Sequence, residues 1–130
     1  MIVLDASATV DWLLQTPAGQ RVENRIYSHN ESLHTPHLLD IEVTQVLRRL
    51  VRQRLVPARR ADEVIQDLLD LRITRYGHFV LLHRIWQHRN TLSAYDAAYV
   101  ALAELLGAVL VTCDGRIASA SGHSAKVEVI

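Results

Sequence analysis

The sequence predicts an α/β protein, with a mostly parallel central sheet of four to five short strands flanked by helices on both faces. Three observations predict it. Short apolar runs alternate with amphipathic stretches along the chain. Two of those runs, Ile2-Val3-Leu4 and Ala108 to Thr112, have the continuous apolar character of strands buried on both faces. Helix start and stop signals fall between the runs, with Ser93 before and Gly107 after the most apolar stretch of all.

Taken in order, Ile2-Val3-Leu4 is a strand that ends at Asp5, and Ala6 to Leu14 reads as a helix ended near Pro17. Ala18 to His29 gives a second helix, and Ser32 to Thr35 a second strand. Thr35-Pro36 reads as a helix start, with Thr as cap and Pro in the first turn. The helix after it carries Leu39, Val43, Val46, Leu47 and Leu50 on one stripe and ends near Arg54. Ala58 to Asp70 is a helix with Val64, Ile65, Leu68 and Leu69 facing inward. Arg72 to Thr74 reads as a third strand and Phe79 to His88 as helix. Ser93 caps a helix from Ala94 to Leu106, and Ala108 to Thr112 follows as a strand. A short helix from Gly115 to Ala120 and a strand from Val127 to Ile130 close the chain.

A length of 130 residues fits one domain over 1–130. Hydrophobic residues make up 49% of the chain, too many for a disordered one. No apolar run approaches a membrane span. The N-terminus lacks the basic stretch of a signal peptide, and the lone Cys113 suits a reducing compartment. These features predict a cytoplasmic protein with no membrane partner. Formal net charge is zero, so no global basic field draws in nucleic acid. The basic charge is thirteen Arg against one Lys, Lys126.

Four acids stand in unusual places. Asp5 directly follows the first strand, and Asp114 follows the fourth within two residues. In parallel α/β sheets, ligands gather at the carboxyl ends of strands. Glu42 and Asp96 sit near the starts of helices that begin at that same edge. Each acid also has a capping explanation: Asp5 for the helix from Ala6, Asp114 for that from Gly115, and Asp96 three residues after Ser93. Yet the helix of Asp96 is apolar nearly all round, and Glu42 borders an apolar stripe. A carboxylate drawn toward the interior needs a cation or a donor. Clustered carboxylates without thiolates select Mg²⁺ or Mn²⁺ over zinc. Metal-assisted phosphodiester hydrolysis is the chemistry such a site performs.

The chain resembles the PIN-domain nucleases, and the VapC toxins of VapBC toxin–antitoxin pairs in particular. The resemblance rests on Ile-Val-Leu-Asp-Ala-Ser at 2–7, Pro36 with Glu42-Val43, Tyr-Asp-Ala-Ala-Tyr-Val-Ala-Leu-Ala-Glu at 95–104, and Leu-Val-Thr-Cys-Asp at 110–114. It implies a PIN-like sheet sandwiched by helices and a Mg²⁺- or Mn²⁺-dependent endoribonuclease. By position, Asp5, Glu42, Asp96 and Asp114 become catalytic and metal-binding acids. Ser7 and Thr112 become hydroxyl residues supporting the carboxylates. The implied partners are RNA, a cognate VapB-type antitoxin and a second copy of the chain, in a homodimer and a toxin–antitoxin hetero-oligomer. One departure is Arg116, where some relatives carry an acid or amide; it weighs against a tightly held second metal.

Arg48, Arg49 and Arg52, within a basic patch that extends through Arg54, Arg59 and Arg60, are either a solvated helix face or contacts to the RNA backbone. Three alternatives stay open. One is a PIN nuclease of RNA processing with no antitoxin. Another is a phosphate-handling α/β protein of haloacid-dehalogenase type, which wants a second Asp where this chain has Ser7. The last is an inactive interaction domain, expected to have lost part of the acidic quartet.

Overall fold

The structure, a computed structural model, describes residues 1–130. Five strands, β1 (Ile2–Leu4), β2 (Leu33–Pro36), β3 (Ile73–Tyr76), β4 (Val109–Thr112) and β5 (Lys126–Val129), pair in parallel in the order β3-β2-β1-β4-β5. Seven helices connect them: α1 (Ala6–Leu13), α2 (Pro17–Tyr27), α3 (Leu38–Arg52), α4 (Ala58–Asp70), α5 (Leu82–Gln87), α6 (Ala94–Leu106) and α7 (Gly115–Ser119). A 3₁₀ turn, Phe79–Leu81, leads into α5. The chain steps outward from β1 to β3, then crosses back to β4 and β5 on the other side. Right-handed crossovers therefore put α1 to α4 on one face and α5 to α7 on the other. The packing of α1 on α2 and α3, and of α5 on α6, follows that division.

Burial explains the order. Ile2, Val3 and Leu4 of the central strand have no exposure, and neither have Leu110 and Val111 beside them. Helix α6 is buried from Ala97 to Ala103, so it crosses the middle of its layer. It starts on the Ser93 cap and stops at Gly107, whose φ of 60° lets its N–H reach back to Ala103 and Glu104. Gly19 of α2 is required for another reason. A Cβ there would lie 1.8 Å from the Asp11 carbonyl oxygen, so α1 and α2 meet backbone to backbone.

Two expectations are corrected. Thr35 and Pro36 do not start a helix; they finish β2. The Thr35 hydroxyl donates to the Leu4 carbonyl at 3.0 Å, and the His37 N–H donates to the Tyr76 carbonyl at 2.8 Å. Sheet pairing holds the chain extended, and α3 starts later, with the Leu38 N–H donating to His78 Nε2 at 2.9 Å. Leu69 also does not face inward; it is 68% exposed, one position past the buried Leu68.

The fold places the site by topology. β1 and β4 are neighbours whose connections leave in opposite directions. A crevice must open above their carboxyl ends. Helices α1, α3, α6 and α7 all begin at that edge.

Candidate active site

A cleft of about 650 Å³ occupies this crevice, and Asp5, Ser7, Glu42, Asp96, Tyr99 and Asp114 line it. The four acids named from sequence come from four different elements, and the fold brings them to one cavity. Thr112 lies behind the cleft wall, with no exposure.

Asp5 is the fixed point. It caps α1, its Oδ1 accepting from the Ala8 N–H at 2.9 Å and from the Ser7 hydroxyl at 2.8 Å. Its Oδ2 accepts from the Thr112 hydroxyl at 2.5 Å. Ser7 also accepts from the Cys113 N–H at 2.9 Å, and Thr112 from the Asp114 N–H at 2.9 Å. The two hydroxyls thus lace the start of α1 to the end of β4. Capping and a place in the cleft are not rivals here, because one carboxylate does both. Asp5 is 4% exposed, and burial pushes its carboxyl up to about 6 against the pull of these donors. The negative charge of Asp96 pushes in the same direction.

Asp96 stands in the first turn of α6, half-buried, while the Ser93 cap accepts its N–H at 3.1 Å. Burial raises its carboxyl above the ordinary range; the Arg116 charge pulls down and Asp114 pushes up. Glu42 is raised as well, by burial first and by Asp96 last, with the Tyr99 hydrogen bond opposing. The Tyr99 hydroxyl donates to Glu42 Oε1 at 2.7 Å. That bond joins α6 to α3 across the cleft, one helical turn beyond Asp96. No local sequence pattern points to this role, since the two partners lie 57 positions apart.

Asp114 differs. It caps α7 through the Arg116 N–H at 3.0 Å, and its Oδ2 accepts from Arg116 Nε at 2.8 Å and Nη2 at 2.5 Å. The Arg116 hydrogen bonds hold its carboxyl below the usual carboxylate range. No three His, Cys, Asp or Glu side chains lie close enough together to grip an ion unaided. Neither His nor Cys lines the cleft. Its donors are hard oxygens, which fit a cation bound by one or two carboxylates and otherwise by water and substrate.

The three arginines named as an RNA patch separate. Arg49 lines the cleft. Arg48 and Arg52 line a different hollow between α3 and α4, beside Leu47 and Ala61. Residues four apart share a helix face, while neighbours such as 48 and 49 do not. Arg60 is committed elsewhere, donating to the Leu13 carbonyl at 2.8 Å and pairing with Glu63.

The PIN domain family profile matches residues 2–122. Ribonuclease VapC12 of Mycobacterium tuberculosis is 42% identical over 130 residues, which is all of this chain and 99% of the relative. Ribonuclease VapC9 of the same organism is 39% identical over 130 residues, all of this chain and 98% of the relative. Among solved structures, VapBC2 from Rickettsia felis, bound to a promoter DNA fragment, superposes with a TM-score of 0.71 at 12% identity, covering 99% of this chain and 98% of the other. M. tuberculosis VapC20, a Sarcin-Ricin loop cleaving toxin, gives 0.69 at 16% identity, covering 95% and 97%. With a profile match over nearly its whole length and two such relatives, the chain belongs to the PIN-domain family, among the VapC ribonucleases.

Proposed function

We propose that this chain is a divalent-metal-dependent endoribonuclease, the toxin of a VapBC-type toxin–antitoxin pair, working in the cytoplasm with Mg²⁺ or Mn²⁺. The observation that carries the reading is the meeting of Asp5, Glu42, Asp96 and Asp114, from four elements, in one cleft at the switch point of the sheet. The names of the VapC12 and VapC9 relatives support the substrate class. Asp5 and Asp96 would hold the cation, with Asp114 and Glu42 beside them. A divalent cation there supplies Lewis acidity and lowers the pKa of water. Asp5 cannot wander, because Ser7, Thr112 and the Ala8 N–H fix both of its oxygens. Glu42 is oriented through Oε1 by Tyr99, which leaves Oε2 to accept a proton from an attacking water. Arg49, in the cleft wall, would hold the RNA backbone, whereas Arg48 and Arg52 would serve only a strand that ran over the α3–α4 face.

The partner reading follows the same surface. The cleft continues onto the apolar Val10 of α1, Leu14 just past its end, and Val46 and Leu50 of α3. An antitoxin tail would fold along these side chains and place a basic group among the acids, since a guanidinium forks onto carboxylates. Phe79, Val80, Leu82 and Trp86 stand exposed, a surface that a homodimer or the hetero-oligomer would bury. No helix is long and apolar enough to cross a membrane.

Incubating the purified chain with oligoribonucleotides and Mn²⁺ tests the reading. Cleavage should require the cation, disappear with excess EDTA, and disappear when a cognate antitoxin with an intact tail is added. Full cleavage in EDTA refutes the metal role; full cleavage in the antitoxin complex refutes the blocked cleft.

A further inference from the structure

We propose that Arg116 is a substrate-binding residue for the RNA backbone, stored on Asp114 in the free protein and transferred to a phosphate when substrate enters. This deepens the nuclease reading and rests on it.

Acidic clefts and polyanionic substrates repel one another, so the cleft needs cations of its own near the strand's path. Two arginines line it. Arg49 comes from α3 and makes no ion pair or side-chain hydrogen bond; Arg116 comes from α7, in the opposite helical layer. Together they offer one guanidinium from each side of the acids.

Arg116 has the geometry of a group built to exchange partners. Its Nε and Nη2 both converge on one oxygen, Asp114 Oδ2, at 2.8 and 2.5 Å. Nothing else in the protein holds the guanidinium, and the side chain is 80% exposed. Solvent screens such a pair, so it is readily traded. The N–H groups that converge on this carboxylate oxygen can equally converge on a phosphate oxygen, or fork onto two of them. If Asp114 turns to a cation in the working site, it withdraws the acceptor that Arg116 uses. The guanidinium is then left beside the acids without a partner, where the backbone of the substrate is the next available anion. Asp114 keeps its place during the exchange, because its own N–H remains bonded to Thr112 and its Oδ1 remains bonded to the Arg116 backbone N–H. The swap therefore needs only side-chain rotation.

Steady-state cleavage of a short quenched-fluorophore oligoribonucleotide at saturating Mn²⁺, over a range of KCl, tests the assignment. Arg116→Ala should raise KM about three- to tenfold, and the slope of log kcat/KM against log salt should become shallower by about one, the mark of one lost phosphate contact. Arg116→Lys should recover the slope and part of KM. Arg49→Ala should behave like Arg116→Ala. Arg72→Ala, at the far edge of the sheet before β3, should change neither quantity. Mn²⁺ binding by calorimetry should be unchanged or tighter in Arg116→Ala, since a competitor for Asp114 is gone. Unaltered KM and slope in Arg116→Ala would overturn the proposal, as would weaker Mn²⁺ binding, which would make Arg116 an orienting group for Asp114. If the unaltered chain cleaves nothing, the nuclease reading falls and this assignment with it, an outcome distinct from a failure confined to the Arg116 variants.

Discussion

Helix α6 carries an acid at each end, and the two live in opposite surroundings. Asp96 lies in the first turn, where the helix dipole favours negative charge. Its carboxyl is nevertheless raised, because burial outweighs the help it receives. Glu104 lies in the last turns, where the dipole disfavours it, and yet it is held down to about 2. The reason is pairing. Arg84 donates to Glu104 through Nε at 2.6 Å and Nη2 at 2.8 Å, the Ser124 N–H adds a bond at 2.9 Å, and His88 lies 3.3 Å away. One end of the helix spends its acid on holding α5 and the last loop in place. The other end leaves its acid short of partners, facing other acids. A carboxylate kept at an energetic disadvantage within reach of solvent is a candidate for binding a ligand; a carboxylate saturated with donors serves as a joint.

Conservative amides should separate the two ends most sharply. Asp96→Asn should lower RNA cleavage by about three orders of magnitude, on the scale of a lost charge-stabilising group, while melting temperature holds or rises. Glu104→Gln should do the reverse: cleavage per folded molecule stays, and urea unfolding shows a loss of about 1–3 kcal/mol as Arg84 loses its charged acceptor. Equal loss of activity in both variants, measured at matched folded fraction, would erase the distinction.

Next in size is the response to pH. Asp5 is raised to about 6 from an ordinary 3.8. Its protonated form is the one the metal-free fold favours, so its contribution is fully present below about pH 4 and is lost as pH rises through 6. The full span is worth about 3 kcal/mol. Glu104 and Glu31, both held near 2, act in the opposite sense and at lower pH, losing their contribution as pH falls from 4.5 toward 2. His34 is lowered by burial and also runs opposite to Asp5 near neutrality. The difference in stability between the wild type and Asp5→Asn in EDTA removes these shared titrations. It should shift in favour of the variant between about pH 4 and 6. Adding Mn²⁺ should reverse the trend for the wild type alone, because the cation takes the deprotonated carboxylate. A flat difference curve would mean that Asp5 is no worse off than a surface acid.

The contrast also marks how far sequence could reach. Asp5 and Asp114 were legible because apolar strands end at them, and the carboxyl edge of a parallel sheet is where ligands sit. Asp96 was legible because its helix is too apolar to be solvated. Ser7 and Thr112 were reached only through family resemblance, and the structure adds the hydrogen bonds by which they hold Asp5. The pairings made through space were not legible at all: Tyr99 with Glu42 spans 57 positions, and Arg84 with Glu104 spans 20. No local pattern records them. Thr35-Pro36 misled for a related reason. The dipeptide has the local chemistry of a helix start, but pairing with β3 and the Leu4 carbonyl decides for strand. The arginines are close along the sequence, yet Arg49 lines the cleft while Arg48 and Arg52 line another hollow, because neighbouring residues on a helix point to different faces.

The smallest expected effect probes the one bond by which α6 reaches across the cleft to α3. In Tyr99→Phe the ring remains, and Tyr99 is 1% exposed, so packing is preserved and stability should fall by only about 0.5–1.5 kcal/mol. The hydroxyl is the only donor to Glu42 and opposes the rise that burial causes. Without it the Glu42 carboxyl must climb further. If Glu42 accepts the proton of the attacking water, it works only when ionised, so the acidic limb of the kcat/KM profile should move to higher pH in the variant. The plateau at alkaline pH should fall only several-fold, because the carboxylate is still present but less well aimed. Replacing Glu104 should leave that limb where it is, since Glu104 belongs to the joint and not to the cleft. A Tyr99→Phe profile lowered uniformly at every pH, with its limb unmoved, would assign Tyr99 to packing and remove Glu42 from the proton transfer, leaving Asp5 and Asp96 as the acids on which activity turns.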